Sequence, residues 1–105
     1  MRIIETSIFT RRLKSLLGDD EYRELQNSIV VSPDSGKIIK GGGGIRKLRW
    51  SGSGRGKRGG VRVIYYWYKN EDIVLMLLIY AKNEKDGLSP AQLKMLRTIV
   101  EQELL

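Results

Sequence analysis

The sequence contains no cysteine and no histidine. Without cysteine there can be no disulfide scaffold, thiolate metal site or cysteine nucleophile. Without histidine the commonest general base and the commonest zinc ligand are both missing, and a Ser-His-Asp triad cannot be built. No long hydrophobic run is present. The longest, Ile73 to Ala81, falls far below the roughly 18 apolar residues of a membrane span. The opening Met-Arg-Ile-Ile-Glu lacks the apolar core of a signal peptide. These absences predict a cytoplasmic protein with no membrane partner. At 105 residues, with 41% hydrophobic and 30% charged side chains, the chain is expected to form one globular domain over 1–105. A domain of this size buries roughly two-thirds of its unfolded surface, enough for a core without metals or cross-links.

Charge is abundant and unevenly placed. The net charge is +7. Ten basic residues (Lys37, Lys40, Arg46, Lys47, Arg49, Arg55, Lys57, Arg58, Arg62, Lys69) follow one another with no acid between them. The remainder of the chain holds nine basic and twelve acidic residues, so one contiguous third carries the whole positive excess. A field focused in this way attracts polyanions such as RNA or DNA, an anionic surface or an acidic protein.

The periodicity predicts an α+β fold in the order β-α-α-β-β-β-α, a small, largely antiparallel sheet with helices mainly on one face. Residues 2–5 read as a short strand. Thr6 or Ser7 caps a helix that buries Ile8 or Phe9, Leu13, Leu16 and Leu17. Asp19 or Asp20 starts a second helix, with Tyr22, Leu25, Ile29 and Val30 as its expected apolar stripe, and Pro33 stops it. After four glycines at 41–44, residues 45–50 alternate as a strand, with Leu48 and Trp50 on one side and Lys47 and Arg49 on the other. Val61 to Lys69 and Ile73 to Lys82 form a hairpin across Asn70-Glu-Asp. Ser89 and Pro90 open a last helix striped with Leu93, Leu96, Ile99 or Val100, and Leu104. Arg62 is out of phase with Val61, Val63, Tyr65 and Trp67, so it is expected to emerge with Lys47 and Arg49 on the face away from the helices.

Three stretches could carry chemistry. Residues 51–60, Ser-Gly-Ser-Gly-Arg-Gly-Lys-Arg-Gly-Gly, cannot pack a core. Their G-x-G-x-x-G spacing is no dinucleotide fingerprint, because this loop feeds a strand rather than a helix. It is either a loop tip whose Arg55, Lys57 and Arg58 hold phosphates or a charged connector. The aromatic run Tyr65-Tyr-Trp-Tyr68 supplies core in one phase and, in the other, a surface that could stack bases. Tyr80-Ala-Lys-Asn-Glu84 ends the last strand, a usual place for polar function.

These residues carry a resemblance. Gly44-Ile-Arg-Lys-Leu-Arg-Trp, Gly56-Lys-Arg-Gly-Gly-Val-Arg-Val-Ile-Tyr-Tyr, Leu78-Ile-Tyr-Ala-Lys-Asn-Glu and Leu88-Ser-Pro, in that order, resemble the HigB-type branch of the RelE-like toxins of type II toxin–antitoxin systems. The resemblance implies a RelE-like, microbial-ribonuclease-like fold. It implies an endoribonuclease, an mRNA interferase, that enters the ribosomal A site and cuts translated mRNA without a metal or other cofactor. It also implies a cognate antitoxin, usually of helix-turn-helix type in this branch. Lys47, Arg49 and Arg62 match basic strand positions of the family, and Lys82 matches its strand-end basic stretch. Arg46, Arg55, Lys57 and Arg58 then become RNA contacts. The sequence departs at Asn83, where the best-known relatives have an arginine, and at Ser89, near the place of their late tyrosine.

In such a reaction the 2′-hydroxyl is the nucleophile. Arg62 suits stabilisation of the phosphorane charge, since its guanidinium is always protonated and forks onto phosphate oxygens. Lys47, Lys82 or Glu84 is the base, and Tyr80 or a protonated lysine the acid. Two other classes use the same features: a non-catalytic RNA- or ribosome-binding module, and a toxin of the same fold that acts on DNA gyrase.

Overall fold

The structure is a computed structural model that describes residues 1–51, 60–84 and 87–104. The chain runs β1 (Arg2–Glu5), α1 (Ser7–Leu16), α2 (Asp19–Val31), β2 (Lys37–Ile38), β3 (Arg46–Trp50), β4 (Val61–Tyr68), a 3-10 turn (Lys69–Glu71), β5 (Ile73–Ala81) and α3 (Pro90–Leu104). The five strands form one sheet in the order β1-β5-β4-β3-β2. β1 runs parallel to β5, and the other three pairs are antiparallel.

The helix starts follow from capping. The Thr6 hydroxyl accepts from the Phe9 N–H at 3.1 Å and donates to the Leu77 carbonyl at 2.9 Å, so one side chain both caps α1 and ties it to β5. Glu21 accepts from the Gly18 N–H at the start of α2, where Asp19, Asp20 and Glu21 all suit the macrodipole. Ser89 and Gln92 exchange reciprocal bonds at the start of α3, a capping box. Ser89 is thus occupied as a cap.

The sheet is buried on both faces. On one, Phe9, Leu17, Leu25 and Ile29 of α1, α2 and their junction pack against Val61, Val63, Tyr65, Val74, Met76 and Ile79. On the other, Leu96 and Val100 of α3 pack against Ile45, Ile64, Leu75, Leu77 and Tyr80. Two of the three helices therefore share a face, as the sequence predicts. The third lies opposite, because β5 is apolar on both sides and needs cover on each.

Two features escape the periodicity. β2 is only two residues long and has no strand pattern of its own; the register Lys37↔Lys47 and Ile38↔Arg46 defines it. The second is a bulge in β5. Ile64 pairs with Leu78 but Tyr65 with Met76, which leaves Leu77 as an extra residue. The loop before β2 is held by Tyr65, whose buried hydroxyl donates to the Pro33 carbonyl at 2.7 Å and accepts from the Gly36 N–H at 2.9 Å. Only glycine fits at position 36, since a Cβ there would lie 2.9 Å from the Tyr65 ring and hydroxyl.

Candidate functional site

Strand register brings the predicted residues together. Arg49 on β3 pairs with Arg62 on β4, and Arg62 pairs with Tyr80 on β5. Directly paired residues point to the same side, roughly 4.5–5.5 Å apart at Cα. Arg49, Arg62 and Tyr80 therefore form one row across three strands. The next row is Lys37, Lys47, Ile64 and Leu78. Both rows lie on the face that α3 covers. Ile64 and Tyr66 share the phase of Arg62 and pack in the α3 cluster, while Arg62 itself is half-buried. Tyr66 consequently belongs to the packing beneath α3 and Tyr65 to the opposite core.

The bulge is what puts Tyr80 into the row. Val74 and Met76 share its parity, yet both pack under α1 and α2. The extra residue at Leu77 inverts the alternation, so Leu78 and Tyr80 turn to the α3 side. Tyr80 is 2% exposed. Burial pushes its phenol up from the ordinary tyrosine range, and the nearby positive charge of Arg62 pulls it partly back. The phenol therefore keeps its proton throughout the neutral range.

Lys82 joins the group from the strand end. Its N–H donates to the Gly60 carbonyl at 3.0 Å. A Cβ built on Gly60 would lie 3.5 Å from Arg62 Nη1 and 3.9 Å from Lys82 Cβ. The two cationic side chains thus converge over a glycine that leaves them room. Arg49 and Lys82 are exposed, and Lys47 and Arg62 half-buried. The arrangement is a cationic, partly open half-face with a protonated phenol at its side, suited to binding a phosphodiester.

Of the other predicted residues, Arg46 stands elsewhere, whereas Glu84 lines one cavity with Tyr80 and Arg12. Arg46 has the parity of Leu48 and lies on the opposite face, where Nη1 donates to the carbonyls of Asp34 at 3.1 Å and Gly36 at 2.8 Å. It braces the loop before β2. Glu84 is ion-paired with Arg12 of α1, and its Oε1 accepts from the Ala81 N–H at 3.0 Å. Asn83 is exposed in the same turn. Arg55, Lys57 and Arg58 lie outside the described residues. Lys37 is a cation that the site reading missed. Its place in the unbroken basic stretch was the available signal, but no strand was expected there to orient it. Among the described residues, no cluster of acidic side chains could hold a metal ion, and no helix is long and apolar enough to cross a membrane.

The fold has solved counterparts. A free-state double arginine-to-alanine mutant of the E. coli toxin RelE superposes with a TM-score of 0.58 at 13% identity, covering 99% of this chain and 97% of that one. The toxin in the intact E. coli RelBE toxin–antitoxin complex gives 0.58 at 16% identity, over 80% of this chain and 98% of that one. The isolated E. coli RelE toxin gives 0.56 at 14%, over 93% and 97%. At these identities the likeness concerns the fold alone. A family model described as the RelE toxin of the RelE/RelB toxin–antitoxin system matches residues 1–104. With that match across almost the whole sequence, the chain belongs to the RelE toxin family.

Proposed function

We propose that this toxin is a ribosome-dependent endoribonuclease of the HigB-type branch, which cuts translated mRNA in the cytoplasm and is restrained by a cognate antitoxin of helix-turn-helix type. The observation that supports the reading is the row Arg49–Arg62–Tyr80, flanked by Lys47 and Lys82 on one sheet face, with Arg49 and Lys82 exposed and Tyr80 buried at its side. A phosphodiester laid along that row meets a fixed guanidinium at its non-bridging oxygens. The RNA's own 2′-hydroxyl attacks the adjacent phosphorus, the bond to the 5′-oxygen breaks, and a 2′,3′-cyclic phosphate and a 5′-hydroxyl end result. Arg62 stabilises the extra charge of the phosphorane. In this reading Lys47 or Lys82, as the neutral amine, takes the 2′-hydroxyl proton, and Tyr80 or a protonated lysine returns one to the leaving oxygen. With no histidine in the chain, much of the rate must come from how the ribosome orients the mRNA.

Induction of the chain in bacteria, with mRNA 5′ ends mapped in translating and translation-arrested cells, tests the reading. New 5′-hydroxyl ends confined to translated messages, and lost on Arg62→Ala, are expected. Growth arrest with intact mRNA would refute the proposal. Inhibited supercoiling would then point to gyrase, and ribosome binding without cleavage to a binding module.

A further inference from the structure

We propose that Arg12 is a positioning residue, which acts through Glu84 and the Ile79 carbonyl to hold the turn that carries Lys82 against the cationic row. Its place in the reaction rests on the nuclease reading above; the clasp itself does not.

Arg12 lies on α1, 72 residues before Glu84 in sequence. Its Nε donates to the Ile79 carbonyl at 2.7 Å, and its Nη2 is hydrogen-bonded and ion-paired with Glu84 Oε2. Arg12 is half-buried and Glu84 exposed, so what distinguishes the pair from an ordinary surface contact is the second bond of the same guanidinium to the Ile79 carbonyl. The guanidinium fork matters here, because one planar group serves a strand carbonyl and a carboxylate at once. The other carboxylate oxygen closes the turn: Glu84 Oε1 accepts from the Ala81 N–H, and the Glu84 N–H donates to the Ala81 carbonyl, both at 3.0 Å.

Lys82 sits inside that turn, with its own N–H on the Gly60 carbonyl of the neighbouring segment. The turn is therefore hung between two supports, Gly60 on the β4 side and Arg12 on the α1 side. The α1 support is firm. Thr6 joins the helix start to the Met76 and Leu77 carbonyls of β5, and Phe9 is fully buried beneath it. Both oxygens of Glu84 are engaged in this scaffold. The arrangement uses Glu84 to place Lys82 and leaves the proton of the 2′-hydroxyl to an amine.

Two measurements on the full chain test this. In amide hydrogen exchange, Arg12→Ala and Glu84→Gln should each speed exchange at Ala81 and Lys82 by about tenfold or more, and leave the middle of the β4–β5 ladder unchanged. In single-turnover cleavage on programmed ribosomes, Arg12→Ala and Glu84→Ala should each slow the reaction at saturating ribosome by about 10- to 100-fold, the scale of a misplaced catalytic group. Arg12→Lys, which keeps the charge but not the fork, should recover part of the loss. The double variant should be no slower than either single one. The pH–rate profile should keep its shape in every variant.

Three results would overturn the proposal. Wild-type exchange in both single variants would show that no clasp holds the turn. Loss of the acidic limb in Glu84→Ala, with an upward shift of that limb in Arg12→Ala, would make Glu84 the base. A wild-type chain that cuts nothing would remove the nuclease reading and the role of Arg12 in it, while the exchange rates would still show whether the clasp exists.

Discussion

Arg62→Ala should separate activity from stability. In the sheet, Arg62 is directly paired with Arg49, and like charges in that relation are destabilising by roughly 0.2–1 kcal/mol. Among the described residues, its Nη1 makes a weak 3.5 Å contact with the Val61 carbonyl. Removing the side chain relieves the repulsion and forfeits the packing of its aliphatic stem, two terms of similar size and opposite sign. The melting temperature should therefore move by no more than a few degrees. The effect on cleavage is one-sided. A donor lost from a developing oxyanion costs about 10²–10³ in rate, or roughly 2.7–4 kcal/mol. Thermal unfolding followed by circular dichroism, beside single-turnover cleavage on programmed ribosomes, gives both quantities from one preparation. A variant that melts many degrees lower, or one that folds and cuts at the wild-type rate, would refute the placement of Arg62 in the site.

Tyr65→Phe should destabilise the fold by about 1–3 kcal/mol, because it leaves the buried Gly36 N–H unpaired; a denaturant midpoint unchanged from wild type would contradict this. Alkaline pH should weaken the protein. The Tyr22 and Tyr80 phenols are both raised, chiefly by burial, so the folded state holds their protons more tightly than the unfolded chain. Their contribution is complete below about pH 10 and declines as pH rises above it, which pH-dependent unfolding measures; Tyr22→Phe should flatten that decline. Replacing Arg55, Lys57 and Arg58 together should lower the salt dependence of ribosome binding and leave the melting temperature alone, with each lost phosphate contact reducing the slope by about one; an unchanged slope would make the loop a connector.

Much of the fold was legible because several signals agreed at each place. Thr6, the acids at 19–21, Pro33 and the Ser89-Pro90 pair marked helix ends through local hydrogen bonds that need no tertiary information. Alternation put Lys47 and Arg49 opposite Leu48 and Trp50, and the register agrees. The bulge at Leu77 was not legible. An apolar run such as Ile73 to Ala81 carries no alternation to interrupt, so nothing in it announces an inverted phase. Tyr80 drew attention only as part of a strand end. Its partnership with Arg62 depends on a register that the sequence does not print. β2 was hidden for a related reason, since two residues are too few for a period.

Arg46 and Glu84 are both engaged by other groups of the fold, in ways that residue type alone does not reveal. A charged side chain serves as a functional group only if the fold leaves its charge unspent. Arg46 and Arg49 stand three residues apart on one strand and differ in parity. That places Arg46 beside the carbonyls of Asp34 and Gly36, and Arg49 opposite Arg62. Glu84 is a candidate base by residue type, within the strand-end stretch 80–84. A turn, however, brings its carboxylate back to the Ala81 N–H and within reach of Arg12. That carboxylate already holds two partners within the fold. Cations crowded on a single half-face are in the reverse condition. Arg49, Arg62 and Lys82 are neighbours of like sign, and their mutual repulsion is relieved when a polyanion arrives. Among the described residues, like charge is gathered in the row of Arg49 and Arg62 and at Lys82, on the sheet face that α3 also packs against.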